Sequence, residues 1–560
     1  MEHGISANQN ESTKPQKSTE PPETGIWIHT NKHHRNFDNK KGLPPRVNHG
    51  QAYDEKTQNL YIVGGFYEYN EGNQATSAST IDIQCINMES LENVEVVTSV
   101  HIIDKVEHYS DFYTEKFKNR DYEFTNNYWN QTTELLKAPL ARYGLAATFM
   151  NDKIYIYGGH NDHKVLKTLP EWYHNLSSVF EFDPKTGIFQ NLTDISKNHP
   201  EKLRLQELPG IRSGHCLIAL PKINSLLVFG GFCSQMRCER TRIQYTERAF
   251  RNDLWLFCIT TRSWHRIWTN SPLDGLMYDD SVSMPVERDF GIMHLVNDKL
   301  VLYGGRSFGP ATRWAEGFAN DCWVIDNFVE HIPVYQDSLG NILPLVDAIT
   351  QVIKIDTRWR IVKIKENEHK SGAERSEDEV NNSGDFFNNV FIDHIADTYA
   401  TTPLLGADGE PNLNLKTLIF PPPRRSHMSF VRNSNIYIFG GFGGDTKGHF
   451  SDLWKFDCIT EEFSEVKWPA TNTSSKLYGR RRGSVVYLEK HDIAVVLLGT
   501  RQAQTEEERT WLRLRGKEET EKSVLWKHRG YDLFAFGTSL QNICLGRLVE
   551  DYSAFKNLGP

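Results

Sequence analysis

A paired glycine recurs five times along the chain, and each copy ends a short apolar run. The first copy reads Leu60-Tyr-Ile-Val-Gly64-Gly65. The other four pairs are Gly158-Gly159, Gly230-Gly231, Gly304-Gly305 and Gly440-Gly441, and Val495-Val-Leu-Leu-Gly499 is expected to be a sixth copy that has lost its second glycine. Self-similarity of this kind indicates a repeat architecture. The chain is therefore predicted to fold as a series of similar units.

An arginine precedes each copy at a nearly fixed distance. The offset from arginine to first glycine is 18 residues for Arg46, Arg212 and Arg481, and 16 for Arg142, Arg288 and Arg424. A difference of two keeps every side chain on its original face, because strands have a period of two. A third apolar segment follows the glycines, as at Asn252–Phe257, and a fourth carries an aromatic residue, as at Trp264. Each unit is predicted to contain four strands.

These features resemble the kelch repeat, and the resemblance covers most of residues 25–537. It implies an all-β fold, a six-bladed β-propeller occupying residues 24–537. The segment around Trp27 is similar to Thr186–Phe189, the fourth strand of blade two, and is predicted to complete the last blade. In blade four, the third strand is either Asn320–Asp326 or Gln351–Asp356, and the sequence leaves both open.

The remaining segments are predicted to protrude from the propeller. Long insertions are expected at about 104–140, 366–415 and 501–528, and residues 1–23 form a polar tail that should be disordered. Residues 538–560 follow the last blade as a separate C-terminal segment.

Composition restricts the binding partners and the cellular location that we expect for the protein. The net charge of −9 argues against general affinity for nucleic acid or anionic membranes. No apolar stretch is long enough to span a bilayer, and the N-terminus has no apolar signal core. The eight cysteines include no Cys-x-x-Cys pair. We expect a reduced, intracellular protein located in the cytoplasm, the nucleus or both.

The C-terminal segment carries an amphipathic pattern. Leu540, Cys544 and Leu548 fall at i, i+4 and i+8 of a predicted helix, and Thr538 or Ser539 can cap its start. The pattern resembles the elongin-binding box of substrate receptors in cullin-RING ubiquitin ligases. That resemblance implies that Leu540, Cys544 and Leu548 enter an apolar pocket on elongin C. The alternative is a helix that packs back under the propeller.

A propeller followed directly by this box resembles the kelch domain-containing substrate receptors of such ligases. The blade-five run Arg424-Arg-Ser-His427 resembles the tenth-numbered type of that group. The resemblance implies a substrate-recognition subunit whose partners are elongin B, elongin C, a cullin of the cullin-2 type with its RING subunit, and substrate proteins or their C-terminal tails. Because only residues 551–560 follow the box, elongin binding is better indicated than the choice of cullin.

The repeated arginines are candidate substrate contacts. They are expected near one mouth of the channel, where guanidinium groups suit a carboxylate because each donates two parallel hydrogen bonds. The alternative is that each arginine bonds its own repeat. Arg212 and Arg481 are the preferred substrate contacts because a glycine follows each of them two residues later. The full candidate set is Arg46, Arg142, Arg212, Arg288, Arg424 and Arg481.

Two other classes of protein compete with a substrate receptor for a chain of this kind. A metal-radical oxidase needs a convergent cluster of Tyr, His and Cys, and no compact cluster of that kind stands in the sequence. We therefore expect no catalytic site, no metal and no cofactor. The other class is a kelch scaffolding or cytoskeletal protein without a ligase role, and elongin capture would separate it from a receptor.

Overall fold

Most of the described structure consists of β-strands whose successive side chains point to opposite faces of a sheet. The computed structural model describes residues 25–29, 46–71, 74–88, 94–96, 138–161, 175–193, 208–233, 249–269, 284–307, 317–362, 420–444, 448–466, 479–502, 523–525 and 532–536. The predicted box, with Ser539, Leu540, Cys544 and Leu548, lies outside these residues, as do the tail 1–23 and most of the three predicted insertions.

Six sheets of four or five strands follow one another along the chain. Blade one contains β2 (Arg46–Val47), β3 (Gly50–Asp54), β4 (Asn59–Glu71), β5 (Gln74–Asn87) and β6 (Val94–Val96). Blade two contains β7 (Tyr143–Met150), β8 (Lys153–His160), β9 (Phe180–Asp183) and β10 (Ile188–Asn191). Blade three contains β11 (Cys216–Leu220), β12 (Ser225–Cys233), β13 (Ala249–Cys258) and β14 (Ser263–Trp268).

The second half of the chain repeats this order. Blade four contains β15 (Ile292–Val296), β16 (Lys299–Ser307), β17 (Gly317–Ile325) and β21 (Arg360–Ile361). Blade five contains β22 (Met428–Arg432), β23 (Asn435–Phe439), β24 (Leu453–Asp457) and β25 (Glu462–Glu465). Blade six contains β27 (Ser484–Leu488), β28 (Ile493–Leu497) and β31 (Asp532–Phe536), and a small sheet beside it contains β26 (Arg480–Arg481), β29 (Thr500–Gln502) and β30 (Ser523–Leu525).

The N-terminal segment completes the last blade. Strand β1 (Gly25–His29) pairs antiparallel with β31, with Gly25 opposite Phe536 and His29 opposite Asp532. The prediction that the segment around Trp27 supplies the fourth strand of blade six is confirmed. The first and last strands of the propeller thereby share one sheet, which is how a propeller avoids open edges.

Blade four makes an excursion between its third and fourth strands. Asn320–Asp326 is the segment that forms the third strand, within β17. The other candidate, Gln351–Asp356, contains β20 (Val352–Lys354), which adds parallel to β14 at the outer edge of blade three. A hairpin of β18 (Val334–Gln336) and β19 (Ile342–Pro344) precedes it.

The hydrophobic core consists of one apolar cluster at each of the six blade interfaces. Strand β4 shows how sequence creates this arrangement. Leu60 and Ile62 pack toward blade six, whereas Tyr61 and Val63 pack toward blade two. Successive side chains of a strand point to opposite faces, so an uninterrupted apolar run serves two neighbours at once. Within the described part of the chain, no helix is both long and apolar enough to cross a membrane.

Candidate functional site at one mouth of the propeller

One arginine in each blade is buried and bonded to its own repeat. These side chains are at most 1% exposed, and they are Arg46, Arg142, Arg212, Arg288, Arg424 and Arg480. Each Nη1 donates to a backbone carbonyl 16 or 18 residues later, at 2.8–3.4 Å. In four blades a third-strand aspartate pairs with the guanidinium: Arg46–Asp82, Arg212–Asp253, Arg288–Asp321 and Arg424–Asp452. In these four blades the arginine therefore holds the first, second and third strands together.

This placement corrects the expectation that the repeated arginines meet substrate. Arg212 donates to both carboxylate oxygens of Asp253 and to the carbonyl oxygens of Gly230 and Pro209. A ligand carboxylate would have to displace these bonds inside a closed core. The correction applies to Arg46, Arg142, Arg212, Arg288 and Arg424, whose side chains are all fully enclosed.

The glycine pair of blade six is shifted by one residue from the predicted position. First glycines of the complete pairs have φ between 58° and 68°, and second glycines between 99° and 114°. In blade six Leu498 has φ 58° and Gly499 has φ 92°. The blade has therefore lost its first glycine, not its second. The equivalent buried arginine is Arg480, and Arg481 stands one position further along.

A backbone hydrogen bond joins every blade to the next at these positions. The second residue of each glycine pair donates its N–H to the carbonyl of the buried arginine in the following blade. The donors and acceptors are Gly65 to Arg142, Gly159 to Arg212, Gly231 to Arg288, Gly305 to Arg424, Gly441 to Arg480 and Gly499 to Arg46, at 2.6–3.3 Å. The sixth bond returns to blade one, so the six blades form a closed ring.

Two residues after each buried arginine, the backbone turns into the left-handed region. We name these six residues the axial ring: Asn48, Gly144, Gly214, Phe290, Ser426 and Arg482, with φ between 50° and 66°. Five of their N–H groups donate to the carbonyl of the same position in the preceding blade, from Gly144 to Asn48 around to Arg482 to Ser426, at 2.6–2.9 Å. Residues with side chains enter this region at a cost, so the ring geometry is imposed by the fold.

The residues beside the axial ring form what we call the mouth. It consists of one antiparallel residue pair from each blade, located where the first strand of the blade begins and the second strand ends. The pairs are Val47–Phe66, Tyr143–His160, Ser213–Phe232, Asp289–Arg306, Arg425–Phe442 and Arg481–Thr500. Blades one to three contribute neutral side chains. Blades four to six contribute three arginines and one acid. The positive charge of the mouth therefore lies on the side formed by blades four to six.

Four arginines converge on the charged side, and each lies over a phenyl ring from a neighbouring blade or across the axis. Arg306 lies 5.1 Å from the Phe250 ring centroid, Arg425 lies 5.3 Å from Phe318, Arg481 lies 4.2 Å from Phe442 and Arg482 lies 5.4 Å from Phe290. Guanidinium groups favour aromatic faces, and stacking fixes their planes. We call Arg306, Arg425, Arg481 and Arg482 the arginine arc.

The charges of neighbouring arc arginines affect the pKa of Arg482. The pKa of Arg482 is lowered to about 10, first by burial and then by the charges of Arg425 and Arg306. Arg306 donates to both oxygens of Asp289, at 3.0 and 2.5 Å. Burial raises the pKa of Asp289, while Arg306 opposes that rise. An anion entering the arc would relieve the repulsion among its guanidinium groups.

Of the six candidate arginines, all of which lie in the described part of the chain, only Arg481 lies at the mouth. Arg306, Arg425 and Arg482 were not predicted there. The sequence does contain a signal for Arg425 and Arg482, because each stands in a run of arginines. The runs are Arg424-Arg425 and Arg480-Arg481-Arg482, and only one arginine per blade is needed for the structural role.

Histidine and cysteine side chains of the described residues do not gather into a site. His49 bonds Ser484 at 2.6 Å, and His294 bonds Ser429 at 2.7 Å, each across a blade interface. Within the described ranges, no three His, Cys, Asp or Glu side chains come together as a metal site requires. The arrangement at the mouth suits binding rather than chemistry, and nothing in the described residues indicates an enzyme.

Comparisons with known proteins agree with this architecture. Two sequence-family models described as Kelch motif match residues 141–195 and 423–468. The chain is 39% identical over 332 residues to Kelch domain-containing protein 3 of Bos taurus, an alignment that covers 59% of this chain and 55% of the relative. It is 21% identical over 331 residues to the protein of the same name from Homo sapiens, with the same coverages of 59% and 55%.

These alignments span about half the length of the relatives. Their common name carries the number 3, so the resemblance to the tenth-numbered type is not upheld. The chain contains kelch repeats folded as a six-bladed β-propeller, an architecture suited to protein binding.

Proposed function

We propose that this six-bladed kelch propeller is the substrate-recognition subunit of an elongin BC–cullin–RING ubiquitin ligase, and that it binds the C-terminal tails of target proteins at the mouth. The observation that carries the substrate half of this proposal is the arginine arc. Four guanidinium groups converge beside the axial ring in a protein whose net charge is −9. A local excess of positive charge of this kind attracts an anionic ligand.

The stacking of the arc favours a planar anion. A phenyl ring that covers one face of a guanidinium fixes the plane in which its N–H groups donate. A carboxylate accepts two parallel hydrogen bonds along such an edge. Arg481 and Arg482 are adjacent in the chain and are stacked on different rings, Phe442 and Phe290. Both are half-buried, so a tail from outside can reach them.

The neutral side of the mouth offers uncharged polar and aromatic groups to the rest of a tail. Blades two and three place Gly144 and Gly214 in the axial ring, and the Phe290 ring of blade four lies against Gly214. Tyr143 and Ser213 stand next to them at the mouth. A tail whose carboxylate lies on the arc can leave across this side and contact neutral polar and aromatic groups.

The adaptor half of the proposal depends on the sequence of the box and on where the last strand ends. Strand β31 runs antiparallel to β28, and the Phe536 N–H donates to the Asp492 carbonyl at 3.1 Å. Asp492 precedes β28, at the end of the blade opposite the mouth. A box that begins two residues later would hold elongin B and elongin C, with the cullin and its RING subunit, away from the bound tail. Ubiquitin transfer would then be carried out by the other subunits.

Peptide binding tests the substrate half. A pool of random ten-residue peptides with free C-termini should bind the full chain, and the same pool with amidated C-termini should not. Arg481→Ala should weaken binding by about tenfold or more, since truncating a charged contact costs a few kcal/mol. Arg358→Ala, which changes an exposed arginine outside the mouth, is the matched control. Equal retention of the free and amidated pools would contradict a carboxylate site.

Capture of purified elongin B and elongin C tests the adaptor half. The intact chain should retain both, and Leu540→Asp should lose them because a charge would enter an apolar pocket. If the intact chain captures no elongin while peptide binding is normal, the protein is a kelch scaffolding module and not a ligase receptor.

A further inference from the structure

Three consecutive blades place a polar side chain in the axial ring, and each has a buried polar atom without a partner. Ser426 Oγ, Arg482 Nε and Asn48 Oδ1 have no hydrogen-bond partner among the described residues. Ser426 as a whole is only 5% exposed. Buried polar atoms are satisfied in native proteins with few exceptions, so three of this kind at one repeat position call for a hydrogen-bonding partner.

The three residues hold equivalent positions around the axis. They occupy one repeat position in blades five, six and one, with φ of 55°, 59° and 53° for Ser426, Arg482 and Asn48. The Arg482 guanidinium lies over Phe290, which holds the same position in blade four, two blades away. A contact between axial-ring residues of non-adjacent blades requires their side chains to point toward the axis.

The chemistry of the three atoms restricts what could satisfy them. Arg482 Nε–H is a donor, Ser426 Oγ–H can donate, and Asn48 Oδ1 is an acceptor. The complementary ligand therefore presents an acceptor beside a donor. The last residue of a peptide does so, because its carboxylate oxygens accept and its own backbone N–H donates. A deprotonated anion such as acetate has no donor to offer Asn48, whereas inorganic phosphate has an O–H, so phosphate is the competitor that must be tested.

We propose that the axial ring binds the terminal residue of the tail: Arg482 and Ser426 donate to its carboxylate, and Asn48 accepts its backbone N–H. This inference rests on the proposed tail binding at the mouth and assigns residues to it. It makes Asn48 a specificity-determining residue. A tail that ends in proline has no terminal N–H, so it leaves Asn48 Oδ1 unsatisfied and binds less well.

The test uses one peptide selected from the free-carboxylate pool, synthesised with alanine, N-methylalanine or proline as its last residue. The protein is the full chain and its Asn48→Gly variant. Glycine suits this backbone because Gly144 and Gly214 hold the equivalent position in blades two and three. We expect N-methylation to weaken binding to the unchanged protein by about tenfold, and Asn48→Gly to weaken binding of the alanine peptide by a similar factor.

The effects of peptide N-methylation and of Asn48→Gly on the binding free energy should not be additive. If Asn48 accepts the terminal N–H, N-methylation has little further effect in Asn48→Gly. Loss of carboxylate-dependent binding in every arm would overturn the proposed function itself. Carboxylate-dependent binding that ignores both N-methylation and Asn48→Gly would overturn only this inference. Inorganic phosphate is the competitor control, and full displacement of the peptide by phosphate would mean a simple anion site and would also overturn the inference.

Discussion

The backbone N–H of Gly499 donates to the carbonyl of Arg46 at 3.3 Å, and this bond joins the last blade to the first. The equivalent backbone hydrogen bond joins each of the five remaining pairs of neighbouring blades. Pairing of β1 with β31 closes the same junction on the outer side. The propeller is thus closed both near its axis and at its rim, by residues more than 450 positions apart in the chain.

Removal of residues 20–32 should destabilise the protein. The deletion takes away β1 and leaves the outer edge of β31 unpaired, together with its backbone hydrogen bonds. We expect the midpoint of thermal unfolding to fall by roughly 5 °C or more. Removal of residues 1–19, which precede β1, is the control. An unchanged midpoint after removal of 20–32 would mean that β1 does not close the ring.

Much of this closure could be predicted from sequence, because it depends on local pattern. Apolar runs before the glycines predicted the second strands, and similarity between the Trp27 segment and Thr186–Phe189 predicted the closing strand. Blade six was misaligned because residue type alone made Gly499 look like a first glycine. Backbone angles are needed to see that Leu498 holds that position.

The arginine arc could not be predicted in the same way. Its identity depends on which side chains of different blades meet, and these contacts join distant parts of the sequence. Arg482 and Phe290 are an example, since they belong to blades six and four and meet only when the ring has formed. The repeat pattern also drew attention to Arg212, whose regular spacing marks a structural role rather than a binding role.

Gly158→Ala should destabilise the protein far more than Gly340→Ala. Both glycines have positive φ, 67° and 85°, so alanine is strained at either position. A Cβ on Gly158 would lie 2.4 Å from His215 Cε1 and 2.5 Å from the Arg212 carbonyl oxygen. A Cβ on Gly340 would meet only Gln336 Nε2, at 3.6 Å.

We expect the Gly340 variant to lose about 1 kcal/mol from strain alone, and the Gly158 variant to lose about 3 kcal/mol or more. The measurement is the free energy of unfolding in urea. Equal losses in the two variants would show that blade packing does not require the glycine pair.

Arg288→Leu should be costly, whereas Arg360→Leu should not. The Arg288–Asp321 pair is enclosed, with side chains 1% and 11% exposed, and the substitution would leave the Asp321 carboxylate buried without its cation. Arg360 pairs with Glu461 at the surface, where the arginine is 46% exposed. We expect losses of about 3–5 kcal/mol for the first variant and about 1 kcal/mol or less for the second. Urea unfolding measures both, and a small loss for Arg288→Leu would contradict a structural role of the buried arginines.

Acid should weaken the propeller through its buried histidines before the carboxylates paired with the buried arginines titrate. Burial and the nearby Arg212 charge lower the pKa of His215 from an ordinary value of 6.5 to about 3. Burial likewise lowers the pKa of His49 to about 3. Between the ordinary and the lowered pKa, the unfolded chain therefore binds protons that the folded protein excludes. Stability rises with pH wherever the unfolded state binds more protons, so it is lost as the pH falls through this window.

His215→Gln should make that loss less steep. Removing one titrating group lowers the slope of unfolding free energy against pH by about 1.4 kcal/mol per pH unit between about pH 6 and 5, where one proton per histidine is at stake. Above about pH 7 the slopes of variant and unchanged protein should agree. Asp82, Asp253 and Asp321, whose pKa values are lowered by their arginine partners against the effect of burial, act with the same sign only at lower pH. Urea unfolding at a series of pH values gives the slope, and an identical slope for His215→Gln would mean that His215 is protonated inside the folded propeller.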